Sequence, residues 1–183
     1  MTKHTGSLTW DRNAQPIVGV SACLIGENVT YDGGNRCSDI IRFEVEPWVN
    51  LRPFCPEVAA GLGVPRPAVK LISAKGEIKA VGEEDPSLDI TDRLSEASRL
   101  AIEQWGNTLS GYIVKARSPS CGSATTALSG ANNVTIGLTD GLFVAALKQA
   151  NPRLMIVDES FFASKETAEA FLNNCYYQHQ KSI

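Results

Sequence analysis

Cys23, Cys55 and Cys121 each follow a short apolar run that reads as a strand ending in a turn. The runs occupy residues 17–21, 51–54 and 111–115. If they lie side by side in one parallel sheet, their carboxyl ends converge on one crevice, where open α/β sheets place ligands. Three thiolates meeting there can hold a metal or a cluster and leave one coordination position open. An open position is what separates a reactive centre from a purely structural one.

Taken singly, the cysteines differ. Cys23, in Val20-Ser21-Ala22-Cys23-Leu24-Ile25-Gly26, reads on its own as a buried structural cysteine, one of the most buried residue types. Cys55 precedes a proline in Phe54-Cys55-Pro56-Glu57, an arrangement shared by cluster loops and by ordinary strand ends. Cys121 stands in the polar turn Arg117-Ser118-Pro119-Ser120-Cys121-Gly122-Ser123. Backbone amides in such a turn can face a thiolate or sulfide, and a core cysteine has little reason to be there. Cys37, at a predicted helix start, and Cys175, on the apolar side of the last predicted helix, read as bystanders. No Cys-x-x-Cys pair exists, which argues against a four-cysteine structural zinc.

The only histidines, His4 and His179, lie near the two ends, so Ser-His or Cys-His machinery has almost no material. Acid–base work falls to carboxylates, of which Asp32 (in Tyr31-Asp32-Gly33-Gly34) and Glu57 are the candidates. Each has an ordinary alternative: Asp32 as a turn aspartate bonded to its own backbone, Glu57 as a helix-start carboxylate. Ser118 and Ser120 are candidate hydrogen-bond donors to a substrate or to cluster sulfur, and Ser-Pro-Ser is also plain turn chemistry.

The rest of the composition narrows the class. A net charge of −3 with no Lys/Arg stripe argues against binding duplex nucleic acid. The one basic cluster, Lys115 and Arg117, suits an anionic or polar small molecule. No run reaches the ~18 apolar residues of a membrane span, and residues 1–15 lack a signal-peptide core. Five thinly spread cysteines do not read as a disulfide framework, so the expected setting is cytoplasmic, where thiols stay reduced.

The elements that must position these groups alternate along the chain. Strands are predicted at 17–21, 51–54, 112–116 and 154–157. Helices are predicted from Ser38 to about 49, from Thr91 to about 106, over 141–150, and from a Ser164 cap to about 177. A helical turn at 57–62 and a small hairpin at 69–72 and 77–81, around Lys75-Gly76, lie between. Residues 122–133 read as a long loop or short helix beside the site. No phosphate loop and no dinucleotide fingerprint follows any strand. The expectation is an α/β fold: a single-domain, three-layer, mostly parallel doubly wound (Rossmann-like) sheet with helices on both faces. The domain spans 16–178, with a flexible leader at 1–15 and a tail at 179–183.

Four motifs in order carry a family resemblance: 20–29 (Val-Ser-Ala-Cys-Leu-Ile-Gly-Glu-Asn-Val), 31–34 (Tyr-Asp-Gly-Gly), 55–67 (Cys-Pro-Glu-Val-Ala-Ala-Gly-Leu-Gly-Val-Pro-Arg-Pro) and 118–122 (Ser-Pro-Ser-Cys-Gly). Together they resemble the thiouracil desulfurase (TudS) family over roughly residues 17–160, while the stretch after Gly122 departs from its pattern. The resemblance implies an oxygen-sensitive 4Fe–4S cluster held by Cys23, Cys55 and Cys121, its fourth iron open to substrate sulfur. It also implies non-redox removal of sulfur from a small thiolated pyrimidine such as 2-thiouracil, giving uracil and hydrogen sulfide. The polar catalytic groups would fall on Glu57 and on Ser118 or Ser120, and less directly on Asp32. An iron–sulfur or metal-binding sensor without turnover is the alternative from a different class, and a structural zinc protein a third.

Overall fold

The computed structural model describes residues 2–5 and 8–182 of the chain. Its strands are β1 (Thr2–Thr5), β2 (Leu8–Asp11), β3 (Ile17–Ser21), β4 (Asn50–Phe54), β5 (Val69–Ala74), β6 (Glu77–Gly82), β7 (Gly111–Val114), β8 (Thr126–Ser129), β9 (Thr135–Thr139) and β10 (Ile156–Asp158). The α-helices are α1 (Pro56–Ala59), α2 (Thr91–Trp105), α3 (Leu142–Ala150) and α4 (Lys165–Ser182).

Four of these strands form an all-parallel sheet in the order β10-β7-β3-β4. The chain starts in its middle at β3, steps outward to β4, returns across to β7 and finishes at β10. Direction reverses between β3 and β7, and a crevice forms beyond the carboxyl ends of the strands at such a reversal.

Burial follows the pleat. Val18 and Val20 of β3 and Ile113 of β7 pack on one face against Phe171, Leu172 and Cys175 of α4 and against Ile41 and Val45. Tyr112 and Val114 of β7 point the other way, onto Trp105 of α2 and Phe143, Val144 and Leu147 of α3. Strands buried on both faces must be apolar throughout, which is why 17–21 and 111–114 read as unbroken apolar runs. Gly19, paired with Tyr112 across the ladder, has no side chain because the tyrosine ring lies over it: a Cβ there would sit 2.2 Å from the ring.

The sequence patterns locate most of this framework. The hairpin appears as antiparallel β5 and β6, with Lys75 and Gly76 both at positive φ, the backbone that a two-residue hairpin turn demands. Ser164 does cap α4, exchanging hydrogen bonds with Thr167. The helix predicted from Ser38 is instead a π-helical turn (Ile41–Val45) followed by a 3-10 turn (Glu46–Trp48), because Pro47 cannot donate to a regular helix.

One feature was not foreseen. Residues 122–133, read as a loop, contribute β8, and β8, β9, β5 and β6 make a second four-stranded sheet in the order β6-β5-β8-β9. The fold is thus mixed α/β with two four-stranded sheets, only one of them wholly parallel, and a separate antiparallel pair, β1 and β2. At the chain's start, within the stretch expected as a flexible leader, Trp10 is buried against Trp48 and Tyr176, and its indole donates to Asn173 Oδ1 at 2.9 Å. At the other end, α4 continues through the expected tail to Ser182. Among the described residues, no helix is long and apolar enough to cross a membrane.

Candidate functional site

Beyond the carboxyl ends of β3, β4 and β7 lies a cavity of about 460 Å³, within the ordinary range for small-molecule sites. Cys23, Cys55 and Cys121 all line it, together with Glu57, Arg66, Lys115 and Ser118. The convergence read from the strand ends is therefore present.

Each cysteine is placed by a different local device. Cys23 sits in the 3-10 turn Ala22–Ile25 that follows β3, and its carbonyl accepts from Arg36 N at 2.9 Å. Cys55 is the residue before α1, where Pro56 starts the turn at no hydrogen-bonding cost. The Cys121 loop caps α3: the carbonyls of Pro119 and Ser120 each accept from that helix's first free amides, Leu142 N and Phe143 N, both at 3.1 Å. Gly141 permits this approach, since a Cβ there would lie 2.4 Å from the Ser120 carbonyl carbon and 2.7 Å from Cys121 N. Ser118 Oγ accepts the amides of Ser120 at 3.3 Å and Cys121 at 3.1 Å, closing the turn from within.

Burial dominates the electrostatics of the thiols. It pushes Cys23 up to about 11, the nearby Cys55 adding to the rise and the Lys115 ammonium opposing it. Burial likewise raises Cys55, against the backbone amide of Val58 and the Arg66 guanidinium. Cys121 is driven well above the ordinary thiol range, with the Ser21 hydroxyl opposing. At none of the three thiols facing the cavity does nearby positive charge, Lys115 at Cys23 and Arg66 at Cys55, outweigh burial. A bound iron centre would supply further positive charge and displace the protons.

The donors are three thiols, the ligand type that suits soft metals and iron–sulfur centres. Among the described residues, no group of three or more His, Cys, Asp or Glu side chains is placed to hold one metal ion. A cluster spreads its thiolates over separate irons and tolerates wider spacing. A second sign is an orphaned polar atom, the Tyr112 hydroxyl, which is buried without a hydrogen-bond partner among the described residues. It shares an apolar cluster with Cys121.

The polar residues expected at the site separate into groups. Glu57 is buried and held by both oxygens: Oε2 accepts from Arg66 Nε at 2.7 Å and Oε1 from the Ser120 hydroxyl at 2.8 Å. Ser120 is buried behind the cavity wall, whereas Ser118 lines the cavity. Asp32 is not brought to the cavity. It closes the 30–34 turn, accepting from the Thr30 hydroxyl, from Gly34 N at 3.1 Å and from Arg36 Nη2 at 2.7 Å. Arg36 and the turn donors hold its carboxyl well below the usual carboxylate range. Cys37 is exposed and Cys175 buried in α4, both away from the cavity.

Arg66 is a cavity-lining residue that local patterns do not single out. Besides Glu57, it donates to the carbonyls of Gly63 at 3.0 Å and Val29 at 2.9 Å, and its Nη2 stands 3.9 Å from Cys55 Sγ. Its only mark in the sequence is a charged residue between two prolines. Lys115 shows the same logic at the opposite wall: its ammonium pairs with Glu159, which also accepts Ala116 N at 2.6 Å.

Breaking a buried pair from one side leaves a buried charge uncompensated. Arg66→Met is therefore expected to lower the stability of the cluster-free protein by about 3–5 kcal/mol. Arg66→Lys should recover part of the loss, keeping the charge without the fork. The shift in denaturant midpoint measures both, and unchanged midpoints would show the pair to be unimportant to the fold.

The comparisons with known proteins agree with the geometry. No curated protein matches the sequence. A solved structure described as "[4Fe-4S]-dependent thiouracil desulfidase TudS (DUF523Vcz)" is similar, with a TM-score of 0.62 and 30% identity over 85% of this chain and 97% of that one. The family model described as 2-thiouracil desulfurase matches residues 18–159, a stretch that contains all three cavity cysteines, Glu57 and Arg66. The chain belongs to the 2-thiouracil desulfurase family.

Proposed function

We propose that this protein is a [4Fe–4S]-dependent, non-redox desulfidase that converts a small thiolated uracil to uracil and hydrogen sulfide. The observation that carries the reading is the meeting of Cys23, Cys55 and Cys121 with the buried Glu57 in one cavity. Cys23, Cys55 and Cys121 are the proposed ligands. When bound by three thiolates, such a cluster supplies one iron with an open position, a Lewis acid soft enough to take a thiocarbonyl sulfur and polarise its C–S bond.

The remaining steps belong to the protein. Glu57 is the proposed general base. An ionised carboxylate offers about four acceptor sites, and Arg66 and Ser120 occupy two, so Glu57 keeps capacity to take a proton from a water in the cavity. That water attacks the carbon bearing sulfur. The C–S bond breaks as the C–O bond forms, and the sulfur leaves as hydrogen sulfide. Thiouracil plus water gives uracil plus hydrogen sulfide, so atoms balance and no electron donor is required.

Ser118 is proposed to contact the substrate, because its hydroxyl proton has no acceptor among the described residues while its oxygen is already used. Ser120 and Arg66 act through Glu57 as positioning residues. Asp32 acts at one remove, holding Arg36 at the cavity rim.

Anaerobic reconstitution with iron and sulfide, followed by incubation with 2-thiouracil, tests the reading. The expected result is a brown protein that forms uracil and sulfide in equal amounts over many turnovers. A protein that holds the cluster and releases no sulfide would be a sensor, and the proposal would fail.

A further inference from the structure

Two buried side-chain polar atoms have no hydrogen-bond partner among the described residues, Asn174 Oδ1 on α4 and the hydroxyl of Tyr112 on β7. Leaving a buried hydroxyl unsatisfied costs on the order of 1–3 kcal/mol, so an orphan on a residue packed in one cluster with the cavity-lining Cys121 calls for an explanation. A phenylalanine would fill the same space at no such cost.

The tyrosine ring cannot turn its hydroxyl elsewhere. It lies over Gly19, stacks 6.3 Å from Trp105 and meets Phe143 edge-on at 5.4 Å. Trp105 and Phe143 both contact Phe54, the residue before Cys55, and the ring shares its apolar cluster with Cys121. Burial raises the Tyr112 hydroxyl well above the usual phenol range, and the neighbouring Cys121, then Cys55 and Cys23, add to the rise.

We propose that Tyr112 is a positioning residue whose hydroxyl is reserved as a hydrogen-bond donor to the sulfur of the bound cluster or its Cys121 ligand, orphaned only while the site lacks its cofactor. This rests on the cluster reading above. Hydrogen bonds from the protein to cluster sulfur and to ligating thiolates hold the centre and favour its more electron-rich state.

Tyr112→Phe tests the assignment because its effects in the two forms of the protein have opposite signs. Without the cluster, the variant is expected to unfold at the same denaturant midpoint as the parent or a higher one, since only an unsatisfied group has been removed. With the cluster, it should lose iron to an anaerobic chelator roughly 10–100-fold faster, the usual penalty for removing an outer partner of a metal site. Its reduction midpoint should also move to a more negative potential.

A cluster-free variant less stable than the parent would show that the hydroxyl is already satisfied, and a loaded variant matching the parent in iron loss and potential would show that it does not reach the cluster. Either result overturns the assignment and leaves the desulfidase reading standing. Parent protein that takes up no cluster at all overturns both.

Discussion

Cys121→Ala protein, reconstituted anaerobically, is expected to lack the parent's visible absorbance and full iron content, and to release sulfide from 2-thiouracil no faster than a protein-free blank. The loop that carries Cys121 is held by Ser118 Oγ, by the α3 amides and by the close approach of Gly141, none of which involves the thiol. Removing the sulfur therefore leaves the loop in place and deletes one ligand. With two thiolates left, an iron–sulfur centre of this type loses a corner of its attachment. Cys37→Ala is the matched control, an exposed thiol outside the cavity, and should retain colour and turnover. A Cys121→Ala protein that keeps both cluster absorbance and activity would remove the present assignment of the ligands.

The second large effect is expected from Glu57→Gln. General acid–base catalysis is worth roughly 10²–10⁴-fold in rate, and loss of the one buried carboxylate on the cavity among the described residues should lower kcat by that factor. Cluster content should stay near the parent's, since Glu57 is not a proposed ligand. Glutamine also fits poorly between its neighbours. Arg66 Nε and the Ser120 hydroxyl both donate, and an amide presents an acceptor to only one of them. Steady-state kinetics and iron analysis on one preparation separate the two effects. Turnover at the parental rate would transfer the base role to another group, and a colourless Glu57→Gln protein would show that the carboxylate supports the cluster.

Legibility in the sequence followed the range of the interactions. The central strands β3 and β7 were readable because burial on both faces makes them apolar runs, and the cysteines beyond the strand ends inherit a common location from the direction of the strands. The β5–β6 hairpin was readable from Lys75-Gly76, because a two-residue turn selects its own backbone angles. The β8–β9 half of the second sheet was not, since β9 leaves Ile136 and Leu138 exposed and no inward apolar face marks it as a strand. Its ladder comes from partners that the β8–β9 segment meets only after folding.

The same division runs through the site. Asp32 and Glu57 looked alike as isolated carboxylates, each in a turn or at a helix start. Tertiary structure separates them, tying Asp32 into an exposed turn with Arg36 and burying Glu57 against Arg66 and Ser120. Ser118 and Ser120, two residues apart, end on opposite sides of the cavity wall. Tyr112 reads as one more strand residue, and only the packed fold isolates its hydroxyl.

Three cysteines at strand ends, with no histidine to compete and no close pairs to form zinc knuckles, were enough by themselves to establish a soft-metal centre as the expectation, because ligand type and strand direction are local properties. Which polar groups stand beside that centre was decided by tertiary structure alone, because Glu57 meets Ser120 across 63 residues of sequence and only long-range packing determines such a meeting.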